Sequence, residues 1–162
     1  MKITQYNFKK ELNVGSKDEI DFENISKYYQ LSEEFMTEHE DSLNWKKIGI
    51  FQKLSLDFIR KNMNKLNIDD IIVNQYIDED FMRDYKNELN WFNVVMSNDL
   101  SEDFIREFQD VLDLELISRY QILSEEFLEE FIDKIDLDCI VISQDLSEDF
   151  IRRHSDKIEK AA

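Results

Sequence analysis

The chain has no proline and only two glycines in 162 residues. Hairpin turns and phosphate-cradling loops depend on those residues, so neither is expected, and helices joined by side-chain caps are favoured instead. One cysteine, Cys139, excludes an internal disulfide and suits a reducing compartment such as a cytoplasm. No apolar run reaches about 18 residues, and no charged-then-apolar leader ending in small residues is visible, so neither a membrane span nor a secretory signal is expected. Positive charge is also scarce: 20 Lys and Arg stand against 37 Asp and Glu, for a formal net charge of −17. Nucleic acids and anionic membranes are held by Lys and Arg neutralising phosphates, so direct binding to either is disfavoured and a charge-driven partner should be basic.

What is present is enough to fold. Hydrophobic residues make up 42% and aromatics 12%, which separates this chain from the aromatic-poor composition of disordered acidic segments. One domain of ordinary size is expected. The strongest internal signal is a repeat: Leu31-Ser32-Glu33-Glu34-Phe35 is echoed at Leu54, Ile77, Leu100, Leu123 and Leu146, always 23 residues on. The ladder divides the chain into a leader at 1–7, a degenerate N-terminal capping repeat at 8–30, five repeats over 31–145 and a truncated C-terminal repeat at 146–162.

Within a repeat, column five is Leu12, Phe35, Phe58, Phe81, Phe104, Phe127 and Phe150, and columns five, six, nine and thirteen follow the stripe of an amphipathic helix. Ser32, Ser55, Asp78, Ser101, Ser124 and Ser147 precede the stripe as N-caps and begin helix A. A second cap column, Asp21, Asn44, Asn67, Asn90, Asp113 and Asp136, begins helix B. Each repeat then holds about nine plus seven helical residues, too few to be stable alone, so neighbouring repeats must supply the core. The expected fold is all-α, an α-solenoid of 23-residue repeats with two short helices each. A parallel β-solenoid competes through β-favouring stretches such as Ile71-Ile72-Val73 and Val94-Val95-Met96, but helices account for more columns.

The unit Leu100 to Asp110, Leu-Ser-Glu-Asp-Phe-Ile-Arg-Glu-Phe-Gln-Asp, followed by Leu116-Ile117-Ser118-Arg119-Tyr120-Gln121, resembles short helical repeats that recur in phage and giant-virus proteins. The resemblance covers residues 8–160 and departs mildly from the pattern, with Asp78 in place of a Ser cap and Leu56 in place of an acid. It implies a viral or mobile-element origin and brings no catalytic residues. It also implies action on a host defence system of the kind anti-CRISPR proteins perform, which is analogy at the level of the family.

The charge is concentrated. Residues 100–145 hold 3 basic and 14 acidic residues, net −11, while residues 1–53 are net −2. If repeats stack at about 8–10 Å, these two span about 20 Å, or about one charge per 2 Å against about one per 1.7 Å in duplex DNA. Acidic residues in a helix's first turn complement its macrodipole, and that accounts for much of columns three and four. It accounts less well for Glu107, Glu115, Glu129, Glu130, Asp133 and Asp138, whose excess favours a binding face in the two repeats at 100–145; Glu102, Asp103, Glu107, Glu125, Glu126, Glu129, Glu130 and Asp133 form the candidate partner-binding set there.

Reactive chemistry is not expected. His39 and His154 share column nine five repeats apart and read as packing residues, and no His or Lys is placed to activate Cys139. Trp45 and Trp91 share one column and read as core. No metal-ligand spacing, calcium loop or nucleotide loop occurs, so no metal and no cofactor is expected. The sequence therefore reads as a non-catalytic binder of a protein with a basic surface, such as a nucleic-acid-binding host enzyme or CRISPR effector that it blocks as a DNA mimic. The alternative is a scaffold gripping a peptide or helix through its concave apolar face.

Overall fold

The computed structural model describes residues 2–161, among which lie fourteen α-helices, one 3-10 turn at Lys17–Glu19 and two two-residue strands. The chain is all-α in class. It separates into two compact units, Met1–Leu89 and Asn90–Ala162. The first holds β1 (Lys2–Ile3), α1 (Phe8–Glu11), α2 (Phe22–Tyr28), β2 (Gln30–Leu31), α3 (Glu33–Glu38), α4 (Trp45–Phe51), α5 (Leu56–Lys61), α6 (Ile68–Asn74) and α7 (Glu79–Asp84). The second holds α8 (Trp91–Ser97), α9 (Glu102–Glu107), α10 (Leu114–Tyr120), α11 (Glu125–Glu130), α12 (Leu137–Ser143), α13 (Glu148–Arg153) and α14 (Ser155–Ala161).

Both cap columns work as caps. Ser32, Ser55, Asp78, Ser101, Ser124 and Ser147 each accept a hydrogen bond from the backbone N–H of the phenylalanine three residues on. Asp21, Asn44, Asn67, Asn90, Asp113 and Asp136 do the same for α2, α4, α6, α8, α10 and α12. Each such cap stabilises its helix by about 1 kcal/mol. The β-favouring stretches at 71–73 and 94–96 lie inside α6 and α8, because Ile71, Ile72, Val94 and Val95 are needed on a buried helical face.

Helix A is shorter than its stripe implies. It runs six residues rather than nine, because the column-nine residue leaves helical geometry, with φ of −111° and ψ of 25° at His39 and −109° and 17° at Phe108. Its own N–H still bonds the column-five carbonyl, and its carbonyl then accepts from column thirteen, as in Leu43 N–H to His39 and Leu112 N–H to Phe108. One sequence stripe is thus built from a helix followed by a separate turn. The column-nine ring folds back on its phenylalanine, with centroids 4.4 Å apart for Phe35–His39 and 4.5 Å for Phe127–Phe131.

The core is columnar. Phe35, Phe81, Phe104, Phe127 and Phe150 are fully buried, as are Met36, Ile59, Ile105 and Leu128 in the next column and Ile48, Ile71, Val94, Ile117 and Ile140 on the B helices. Burying each such side chain contributes about 1.5–3 kcal/mol, which six- and seven-residue helices could not obtain alone. In the first unit α2 packs on α4 and α4 on α6; in the second α8, α10, α12 and α14 pack in sequence order. At the N-terminus, β1 pairs in parallel with β2, Ile3 opposite Leu31, and buries Ile3. The first half of the capping repeat is irregular, with a four-residue α1 that has no side-chain cap and Asn13 at φ 53°, a conformation asparagine tolerates.

Candidate binding surface

Successive repeats are joined by polar bonds at fixed spacing, and these decide what the carboxylates can do. Column-three glutamates reach the cap of the following helix A: Glu33 accepts from Ser55 N–H at 2.8 Å, Glu102 from Ser124 N–H at 2.6 Å and Glu125 from Ser147 N–H at 2.6 Å. Glu33 and Glu125 also accept from the serine hydroxyls, at 3.1 and 3.0 Å. This is a capping box completed from the preceding repeat rather than from within the helix. Leu56 stands where such a glutamate would face Asp78, so the two departures from the pattern are one adjustment that avoids opposing carboxylates. Arg60 lies 3.8 Å from Asp78 and 3.1 Å from Asp84.

A second ladder joins columns seven and eight. Arg106 donates to Glu130 at 2.8 Å while its guanidinium sits 5.0 Å from the Phe127 ring centre, the arrangement Arg60 makes with Asp84 and Phe81. One repeat later the polarity is reversed, with Glu129 in column seven bonded to Arg153 in column eight and to His154 at 3.0 Å. Those contacts, the His154 hydrogen bond first, hold the Glu129 carboxyl below its ordinary pKa. Asp133 is likewise lowered by its hydrogen bond from Lys157.

A third ladder went unread in the sequence. Gln52, Gln75, Gln121 and Gln144 end their B helices, and each accepts from the N–H of the first residue of its own repeat, Gln121 from Leu100 at 2.8 Å. Their amides donate back to the end of the previous B helix, as Gln121 does to Val95 and Asn98 carbonyls at 2.8 and 2.9 Å. The signal was available: column twenty-two reads Gln in four repeats and Asn98 in the fifth.

The eight candidate acids therefore fall into two groups. Glu102, Glu125, Glu129, Glu130 and Asp133 are tied into bonds between repeats. Asp103 and Glu126 lie exposed on the surface of the second unit, Asp103 with its side chain 95% exposed beside Arg106 at 3.1 Å; Glu107 is exposed too, but holds an interaction of its own. Asp110, Glu115, Asp138 and Asp145 are exposed as well. Of the three basic residues in 100–145, Arg106 is held by Glu102, Asp103 and Glu130, Arg119 by Asp136 at 3.0 Å, and Lys134 lies over the Phe131 ring.

The groups singled out for chemistry are placed as packing and capping residues. His39 is buried among Phe8, Phe22 and Phe35. Trp45 stacks on Phe58, and Trp91 packs against Phe104 and Phe108. The Cys139 thiol donates to Asp136 at 3.0 Å, which raises the thiol pKa and, with the Cys139 N–H and Arg119, lowers Asp136 to about 2; a thiol so held is a poor nucleophile. An open groove of ≈ 600 Å³ in the first unit is lined by Glu33, Glu34, Glu38, Asp57 and Lys61. Among the described residues no cluster of three His, Cys, Asp or Glu is arranged to hold a metal, and no helix is long and apolar enough to cross a membrane. Compared with known proteins, the chain matches no family model, no curated protein and no solved structure.

Proposed function

We propose that each unit is a short α-solenoid of 23-residue repeats and that the chain is a non-catalytic binder of a protein with a basic surface. The observation that carries this reading is the excess negative charge of residues 100–145. Their three cations are already engaged, and although Glu129 and Asp133 are paired with Arg153 and Lys157 from beyond the segment, Asp103, Asp110, Glu115, Glu126, Asp138 and Asp145 face solvent and leave the surface strongly acidic. Charge at this density gives fast, salt-sensitive association with a basic surface and competes with nucleic acid for it. In the phage and giant-virus setting that the resemblance implies, the nucleic-acid channel of a host defence factor, a CRISPR effector among them, is the first partner class to test.

The test is capture from a nuclease-treated bacterial lysate by the native chain and by a variant carrying D103N, E107Q and E126Q. These positions leave Glu102 and Glu125, which hold neighbouring caps, untouched. The expected result is capture of a nucleic-acid enzyme by the native chain alone, lost near 1 M salt, with inhibition of that enzyme's nucleic-acid binding. Equal capture by both chains at high salt would remove the charge from the mechanism.

A further inference from the structure

The ends of α10 and α12 expose large apolar side chains that the fold does not require. Ile122 is 92% exposed, Ile142 87% and Tyr120 49%. The column of Ile122 is filled elsewhere by Gln30, Lys53, Tyr76, Asp99 and Asp145, and that of Ile142 by Lys27, Ile50, Val73, Met96 and Arg119, so the frame accepts polar as well as apolar residues at both places. The two helix ends are held side by side: Gln144 donates to the Gln121 carbonyl at 2.7 Å, Leu123 N–H donates to Gln144 at 3.1 Å, and Ser143 Oγ donates to the Ser118 carbonyl at 3.3 Å. Isoleucine is stiff at χ1 and loses little freedom when a partner covers it.

The rim of this patch is acidic. Asp138 lies one helical turn before Ile142 and therefore on the same face, Glu115 holds the equivalent place on α10, and Asp145 follows α12. Arg119, the cation on this face, is held by Asp136. An anionic lipid surface or a nucleic acid would be repelled, whereas apolar side chains flanked by Lys and Arg would be matched. We propose that this face docks a basic amphipathic segment of a protein partner, with Ile122 and Ile142 as its apolar anchors. The proposal rests on the reading that the carboxylates of the second unit recognise a basic protein, and deepens it by naming the anchor and the partner's chemistry.

The test uses the full chain and two labelled synthetic peptides of equal charge, one with Leu and Lys at helical spacing and one with each Leu replaced by Ser. Fluorescence anisotropy near physiological salt should show the Leu peptide bound at least about tenfold tighter by the native chain. The variant I122S/I142S should lose that preference and keep its affinity for the Ser peptide, with an unchanged far-UV circular dichroism spectrum. The variant E115Q/D138N/D145N should weaken both peptides. If I122S/I142S keeps the preference, the docking face is wrong and the charge reading stands without it. If the charge variant binds both peptides like the native chain, the acidic rim plays no part and the basic character assigned to the segment is overturned. Concentration-dependent dimers of the native chain that disappear in I122S/I142S would show that a second copy covers the face, which overturns the proposal. Failure of the broader reading is distinguishable, because it is read from D103N/E107Q/E126Q in lysate capture.

Discussion

The two units are built on one frame and carry different surfaces. Met1–Leu89 has 13 basic and 18 acidic residues, net −5, whereas Asn90–Ala162 has 7 and 19, net −12, in a shorter span. Both nevertheless use the same caps, the same buried phenylalanines and the same glutamine bonds at the ends of their B helices. Residues 44–53 of the first unit hold Lys46, Lys47 and Lys53 with no acid, and the matching residues 136–145 of the second hold Asp136, Asp138 and Asp145 with no base. Since the frame is indifferent to that exchange, folding does not explain the acidity of the second unit. The bonds between repeats are also exchangeable as pairs: Leu56 with Asp78 replaces a glutamate with a serine, and Glu129 with Arg153 reverses Arg106 with Glu130.

If the frame is common, its deepest column should fail equally in both units. Phe58→Ala and Phe127→Ala are each expected to cost about 3–5 kcal/mol by urea unfolding, since both leave a phenylalanine-sized cavity between repeats. A loss confined to one unit would show that the columns are alike in sequence only. The glutamine bonds come next. Gln121 is buried and Gln75 half-buried, and both make three bonds, so Gln121→Ala should cost about 2–3 kcal/mol and Gln75→Ala less. The difference arises because water reaches the groups left unpaired around position 75 more readily.

A smaller effect tests the exchange of pairs directly. Ser124→Asp keeps the cap but sets a carboxylate against Glu102, and should destabilise the second unit by about 1 kcal/mol. Adding Glu102→Leu recreates the Leu56 and Asp78 pair and should restore most of the loss, a coupling that a double-mutant cycle measures. Additive losses would mean that Leu56 and Asp78 are unrelated substitutions.

How much of this was legible follows from the range of each interaction. Caps bond three residues along the chain, so Ser101 before Phe104 and Asp113 before Leu116 announce themselves, and the buried columns follow from helical spacing. Bonds that span 21 to 26 residues, such as Gln121 to Leu100 within its repeat and to Val95 in the one before, exist only once the repeat has closed and lies against its neighbour, and a glutamine alone does not say which backbone groups it will meet. The six-residue length of helix A was hidden for a similar reason, since a turn after Phe108 delivers Leu112 to the core as well as a longer helix would. The acidic set was legible as composition but not as roles: Glu102 and Glu126 look alike in sequence, and only the neighbouring repeat makes one a cap partner and leaves the other in solvent.

The smallest expected effect concerns acid. The two B-helix caps that follow Asp21 in the first unit are Asn44 and Asn67, which do not titrate, while the last two in the second unit are Asp113 and Asp136, which do. Asp136 is lowered to about 2 by the Cys139 thiol, the Cys139 N–H and Arg119, against about 3.9 for an aspartate in an unfolded chain. A carboxylate lowered on folding adds stability that is fully present above the unfolded pKa and is lost as pH falls through the folded one, so the contribution should fade between about pH 4 and pH 2. Amide hydrogen exchange over that range should show α12 opening before α4 and α6, and Asp136→Asn should flatten the pH dependence of α12. Cys139→Ala removes the largest of the three causes, so it should raise the Asp136 pKa, read from the carboxyl carbon by NMR, and move the opening of α12 to higher pH. An Asp136 pKa unchanged in that variant would mean that the N–H and Arg119 alone hold the carboxylate, and that the thiol has no part in the acid response of the second unit.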